Sequence, residues 1–280
     1  MAAQALAQAG VAAHVFDAMP SVGRKFLLAG KGGLNLTHAE PPEPFVSRYG
    51  ARQTQLAPLL EQFGAPQVRA WAQDLGVETF IGTSGRVFPV AMKGSPLLRA
   101  WLARLAEKGV TLRTRWRWEG FADSALRFTT PEGERLLSPR STVLALGGAS
   151  WPRLGSDAAW VPWLTAKGVT VAPFRPANMG FAVDWSPHMA RHFGQPVKGV
   201  ALIAGAQRER GEFVISARGI EGGGVYAVSR ALREGAALRL DLMPDLGADE
   251  VATRLARMRP GESLSNRLRK LGLSPVAVAL

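Results

Sequence analysis

Residues 1–17 constrain the fold more tightly than any other stretch. AAQALAQA at 2–9 consists of strong helix formers, and Gly10 suits the position just past a helix end. Residues 11–16 (VAAHVF) are apolar enough for a buried strand, which ends on Asp17. Helix, glycine, short apolar strand and terminal acid is the order in the second half of a dinucleotide-binding βαβ unit. There the acid accepts hydrogen bonds from a ribose hydroxyl. The first half is a strand followed by G-x-G-x-x-G, which seats a pyrophosphate on a helix N-terminus. No such motif precedes the helix in this sequence. On these residues alone, an ordinary α/β domain with a solvated Asp17 fits at least as well.

The next stretch, residues 20–38, reads PSVGRKFLLAGKGGLNLTH. Gly30, Gly32 and Gly33 have no Cβ, so backbone N–H groups there can approach an anion closely. Arg24 and Lys25 place two cationic donors just before them. A Walker A loop is excluded, because Gly30-Lys31 is followed by Gly32 instead of Ser or Thr. The residues therefore describe a phosphate-friendly loop, and a plain flexible loop stands beside that reading.

Further on, residues 56–63 and 66–75 read as helices, and 77–80 and 85–89 as short strands around a turn. Residues 96–108 (PLLRAWLARLAEK) carry apolar side chains at 97, 98, 101, 102 and 105, the spacing of an amphipathic helix that Gly109 ends. Residues 110–118 alternate as one strand. Leu112, Thr114, Trp116 and Trp118 face one way, and Arg113, Arg115 and Arg117 form a solvated face. A hairpin follows at 127–138. Residues 141–146 (STVLAL) then read as a buried strand running into Gly147-Gly148, as backbone lying against a flat cofactor requires.

From residue 169 the pattern changes to short strands (181–183, 200–204, 211–215, 237–242) without long helices between them, which points to an antiparallel sheet or small barrel. A helix at 225–233 follows Gly222-Gly223-Gly224, a run that suits a turn better than a phosphate site. His188 and His192 stand at i, i+4 on a short helix. They lack the glutamate of HExxH, so no metal site is expected. Residues 248–280 are helical.

Composition removes several function classes. The chain contains no cysteine, which excludes disulfides, thiol nucleophiles, Fe–S clusters and a flavin–disulfide relay. With 34 Lys and Arg against 22 Asp and Glu, the net charge is +12. Such a charge is compatible with nucleic acid, so a basic nucleic-acid-binding module is the alternative reading. The basic residues are spread along the whole chain without a block, which weakens it. No apolar run reaches the roughly 18 residues of a membrane span, and no basic n-region precedes the alanine-rich start. A cytoplasmic protein that does not engage membranes is expected.

Two stretches carry a specific likeness. Asp17 followed by GRKFLLAGKGGLNLTH, and then ALGGASWPRLGSDAAW at 145–160, resemble the bacterial YhiN/BaiN-type FAD-dependent flavoproteins, also called aminoacetone-oxidase-family FAD-binding enzymes. The second stretch agrees at Gly147, Gly148, Ser150, Trp151, Pro152, Gly155 and Ser156. The first departs at Gly33, where that family often has Arg, and at Leu34, where it often has Cys.

The resemblance implies an α/β fold: an FAD/NAD(P)-binding Rossmann-like domain with an inserted β-barrel and a small helical subdomain. Its boundaries here would be 1–168, 169–246 and 247–280. It implies FAD as cofactor, held by Asp17, Arg24, Lys25, Gly30, Gly32, Gly33, Asn35, Leu36, Trp118, Gly147, Gly148 and Ser150, with Trp118 beside the adenine. It implies an oxidoreductase acting on a small molecule by hydride transfer, with NAD(P)H as the electron donor; no side chain stands out as catalytic. Family names suggest bile-acid-like enone reduction or amine oxidation. The resemblance also implies a first strand before Met1 and a closing segment after Leu280. The expectation is therefore a chain truncated at both ends, binding FAD poorly as written and inactive, or a non-catalytic fragment of the flavoprotein.

Overall fold

In the computed structural model of the chain, which describes residues 1–280 apart from the side chain of Lys31, helix α1 spans Ala2–Gln8. Gly10, at φ 72°, turns the chain into strand β1 (His14–Asp17). Helix α2 (Arg24–Ala29) follows, then β2 (Thr37–His38) and helices α3 (Pro42–Ser47), α4 (Gln53–Gln62) and α5 (Ala65–Asp74). The hairpin β3 (Thr79–Ile81) and β4 (Arg86–Pro89) leads into α6 (Gly94–Glu107) and β5 (Thr111–Thr114). β5 returns parallel to β1, with His14 opposite Thr111 and Asp17 opposite Thr114. Parallel strands need a crossover and covered faces. α1 and α6 supply the cover, burying Ala13, Leu105 and Val110 against Ala3, Ala7 and Val15. The face of α6 expected from the apolar spacing is the buried one, with Leu97, Leu98 and Leu105 inside.

The stretch 110–118 is not one strand. Burial alternates as its pattern predicts, but the chain turns at Arg115, which adopts φ 60°. The Arg115 N–H donates to the Met19 carbonyl and the Trp116 N–H to the Asp17 carbonyl, so the end of β5 is pinned to the segment leaving β1. A left-handed conformation costs a non-glycine residue about 1 kcal/mol or more. Beyond the turn a separate antiparallel meander begins: β6 (Arg117–Ala122), β7 (Ala125–Thr130) and β8 (Gly133–Leu137). Its core is Trp118, Leu126 and Phe128, with Phe16 and Trp163 packed on it.

The expected strand at 141–146 is also corrected. Among the described residues no strand pairs with it, and Val143 and Leu144 are 64% and 42% exposed. Apolar, β-branched sequence becomes strand only where a neighbour satisfies its backbone groups. Helix α7 (Val161–Thr165) closes this part of the chain. The chain divides into two compact units, Met1–Phe174 and Arg175–Leu280.

The second unit is built on β9 (Phe181–Ala182), β10 (Pro196–Ala204), β11 (Gln207–Ser216), β12 (Gly219–Glu221), helix α8 (Gly223–Arg233) and β13 (Leu238–Asp241). The strands form one antiparallel row, β13-β10-β11-β12-β9, so the barrel pattern in the sequence corresponds here to an open sheet. α8 covers it, burying Val225 and Val228 against Val200, Leu202, Phe213 and Ile215. The glycine run at 222–224 serves this packing. A Cβ on Gly224 would stand 2.6 Å from Leu202 Cδ1 and 2.9 Å from the Glu212 carbonyl oxygen. Three helices complete the unit: α9 (Ala248–Ala256), α10 (Leu264–Lys270) and α11 (Pro275–Ala279), whose Val276 and Ala277 join the core. His192 is buried, with its ring nitrogens engaged by Gln195 and Arg191, and the turn carrying it and His188 is a 3-10 helix. Among the described residues, no group of three or more His, Asp or Glu side chains is arranged to hold a metal ion.

Candidate functional site

The site grows from the C-terminal ends of the parallel pair, the edge where open α/β sheets receive ligands. Asp17 ends β1 and is partly buried. Its Oδ1 accepts the Met19 N–H at 2.8 Å, a local turn that fixes the carboxylate. Among the described residues Oδ2 has no protein donor, so it is free to accept one.

The glycine-rich stretch then folds over α6. Gly23, at φ 72°, caps α2 and lies against Leu98, where a Cβ would meet Cδ2 at 2.6 Å. Arg24, half-buried, and Lys25, exposed, open that helix. Gly30 sits on the backbone of Gly94, 3.0 Å from its nitrogen by the same measure, and Gly33, at φ 122°, faces Met92 Cε at 2.7 Å. Close backbone packing requires Gly30, and positive φ favours glycine at 23 and 33. Gly32 differs, since nothing lies within 4 Å of where its Cβ would be. Asn35 is exposed, and Leu36 runs beside β4 through a 2.8 Å bond from its N–H to the Val87 carbonyl.

The second motif is brought to the first. Lys25 Nζ donates to Ser150 Oγ at 2.6 Å. Gly155, at φ 90°, faces Met19, two residues past Asp17; a Cβ there would stand 2.9 Å from Met19 Cγ. Trp151 and Ser156 exchange two backbone hydrogen bonds of 3.1 Å, closing the loop between them. The Gly147 carbonyl accepts the Trp160 indole N–H and the Gly148 carbonyl accepts the Ala158 N–H, so the glycine pair is held from one side.

Two residues outside the sequence expectations belong to this arrangement. Ser156 is 5% exposed and its Oγ has no hydrogen-bond partner among the described residues; a Cβ on Gly147 would lie 3.5 Å from it. An unpaired buried hydroxyl beside a glycine at φ 72° is an unmet donor in a cradle. Arg115 adjoins Asp17 through the Met19 bond. Ser156 lies within the second motif, but the sequence carries no sign that it is buried and unpaired. Trp118 is not brought to the group: it is 8% exposed, edge-on to Phe121 and Trp163 in the meander core. An open groove of about 570 Å³ is lined by Met1, Gln4, Phe63, Trp71 and Asp74 among others, and includes none of the expected site residues.

The residues present suit a dinucleotide. They offer a carboxylate oxygen free to accept from a ribose hydroxyl, an open glycine at the end of the segment that Arg24 and Lys25 begin, and a second glycine cradle containing an unmet donor. A parallel pair covered by helices and ending in this cluster has the arrangement of a Rossmann-like domain. The sequence profile of the HI0933-like protein Rossmann domain matches residues 1–239, and the chain belongs to that family. It is 28% identical over 264 residues to the 3-dehydro-bile acid delta(4,6)-reductase of Clostridium scindens, an alignment covering 90% of this chain and 63% of the relative. The chain thus spans less than two thirds of that protein's length. Among solved structures, Thermovibrio ammonificans THI4 aligns with TM-score 0.37 at 15% identity, covering 60% of this chain and 58% of that one. BexE, described in connection with oxidation during BE-7585A biosynthesis, aligns with TM-score 0.36 at 15% identity, covering 85% and 48%.

Proposed function

We propose that the chain carries the FAD-binding part of an oxidoreductase that reduces or oxidises a small molecule. The observation supporting this best is the Lys25–Ser150 hydrogen bond, which draws the two glycine-rich signatures into one site. Asp17 would hold the adenosine ribose through Oδ2. Arg24, Lys25 and the backbone from Gly30 to Leu36 would lie along the pyrophosphate, where Gly32 leaves room for approach. Gly147 and Gly148 would meet the cofactor from the other motif, with Ser150 holding Lys25 and Ser156 offering its hydroxyl. When bound, the flavin supplies the hydride chemistry. The protein's part is orientation, charge complementarity and exclusion of water.

In this reading residues 1–168 form the nucleotide domain, 169–246 an inserted antiparallel sheet, and 247–280 a helical addition. Likeness to the Clostridium scindens reductase favours a 3-dehydro-bile-acid-like substrate, and NAD(P)H is the proposed electron donor. A cytoplasmic setting belongs to the same reading. Among the described residues no helix is long and apolar enough to cross a membrane. No observation favours the nucleic-acid reading: Arg113 and Arg117 lie in two different sheets, with Arg115 in the turn between them.

Titration of the purified protein with FAD, followed by flavin fluorescence and by calorimetry, tests the proposal. Saturable binding that FMN does not compete away is expected. Absence of FAD binding together with salt-sensitive RNA binding would overturn it.

A further inference from the structure

Three arginines alternate along 113–117, and the structure gives each a different environment. The Arg113 guanidinium lies over the Trp116 ring, 5.3 Å from its centroid. Arg117 faces Asp157, with Nη1 3.6 Å from Oδ2. Arg115 is exposed, and its side chain makes no hydrogen bond, ion pair or ring contact among the described residues. It is also the one of the three with a left-handed backbone, φ 60°.

That conformation does not serve packing, since the side chain is in solvent. Two hydrogen bonds hold it in place, from the Arg115 N–H to the Met19 carbonyl and from the Trp116 N–H to the Asp17 carbonyl. They bracket the residue against the turn that contains the Asp17 carboxylate. The turn that these bonds close leaves the Arg115 side chain exposed and, among the described residues, unpaired next to the segment that carries Asp17. β5 lies next to β1 in the parallel pair, so whatever leaves Asp17 sideways along the sheet edge passes the end of β5.

We infer that Arg115 forms a wall of the nucleotide site, its planar guanidinium stacking on the adenine ring of a ligand whose ribose Asp17 holds. The inference rests on the dinucleotide reading above. It replaces Trp118, whose ring is buried, as the side chain beside the base. A guanidinium suits this place because it is planar, permanently charged and weakly hydrated. The neighbouring arginines are already engaged, Arg113 over a ring and Arg117 beside a carboxylate.

The test is calorimetric titration of the full chain with FAD, ADP and FMN, alongside thermal melting without ligand. Arg115→Gly removes the side chain and relieves the backbone, so it is expected to raise Tm by a few degrees while weakening FAD and ADP binding about five- to tenfold. Arg115→Lys keeps the charge without the plane and is expected to recover only part of that loss. The loss is expected to persist at high salt, because stacking is screened less than attraction to phosphate. Full recovery by Lys, or disappearance of the effect at high salt, would assign Arg115 to the phosphates and overturn the stacking. Equal FAD affinity in the wild type and both variants would overturn any role for Arg115. If the wild type binds neither FAD nor ADP, the dinucleotide reading itself falls, and this inference with it.

Discussion

Lys25 and Ser150, 125 residues apart, are joined by a 2.6 Å hydrogen bond from the lysine Nζ to the serine Oγ. Lys25 is in the first turn of α2, and Ser150 follows the glycine pair. Both side chains are exposed, so the contact adds little to stability. It places a cation at the junction of two backbone cradles, where an anionic ligand would gain from it.

Lys25→Ala is therefore expected to shift unfolding free energy by less than about 0.5 kcal/mol, within the usual range for surface changes. The same change should weaken FAD binding about tenfold through loss of a charge-assisted contact. Ser150→Ala should weaken it less, because the lysine remains. Denaturant unfolding and FAD titration on the two variants measure both quantities.

Ser156 should behave in the opposite sense with and without ligand. Its Oγ is buried without a partner, a state that costs about 1 kcal/mol or more. Ser156→Ala deletes the unmet hydroxyl, so the ligand-free protein should melt at a temperature equal to or higher than the wild type. If the hydroxyl is satisfied by the cofactor, the variant should gain less in Tm on adding FAD. Thermal melts at several FAD concentrations separate the two effects, since stabilisation by a ligand follows its affinity.

Much of the first unit is legible in the sequence because its signals are local. Gly10 and Gly109 end helices with positive φ, and the 97, 98, 105 spacing marks the buried face of α6. What is not legible depends on partners distant in sequence. The kink at Arg115 is set by carbonyls of Asp17 and Met19, and the alternation of 110–118 runs through it unchanged. Residues 141–146 have strand composition, yet strand formation needs a neighbour that composition does not name. For the site, the glycine motifs are visible as motifs, but Gly30 turns out to serve backbone packing against α6, and Gly23 and Gly33 supply positive φ. Gly32 stands in the same motif with open space around it, a difference that only the folded neighbours create.

Gln4 is another residue whose role the sequence conceals. Within AAQALAQ, Gln4 and Gln8 look equivalent. In the fold Gln4 is 6% exposed, and its Oε1 accepts two indole N–H groups, Trp101 at 2.7 Å and Trp71 at 3.2 Å. The two rings are themselves edge-on at 5.0 Å. Gln4→Ala leaves both indole donors short of their acceptor and should destabilise the protein by about 2 kcal/mol. Gln8→Ala, on the exposed side, should change stability by less than about 0.5 kcal/mol. Urea unfolding monitored by tryptophan fluorescence compares the pair directly.

The second unit supplies a test in acid. Arg208 Nη2 donates to Asp241 Oδ2 at 2.7 Å, and the Met243 N–H donates to Oδ1 at 3.0 Å. The Arg208 hydrogen bond, aided by the Met243 N–H and by the guanidinium charge, holds the Asp241 carboxyl below its ordinary value of 3.8, against the opposing effects of burial and of Asp245. A carboxyl with a depressed pKa in the folded state stabilises the fold above its unfolded-state pKa. That contribution is lost as pH falls from about 4 through the folded value. The pair is half-exposed, with side chains 51% and 33% accessible, so the contribution is limited to about 0.5 kcal/mol by solvent screening. Asp241→Asn should lower stability slightly at pH 7 and leave it nearly unchanged at pH 2, so that the two melting curves converge on acidification. Addition of about 1 M salt at pH 7 should shrink the difference, because screening weakens the exposed pair. A gap between variant and wild type that stays constant from pH 7 to pH 2 would mean that Asp241 acts through shape and neutral hydrogen bonding instead of charge.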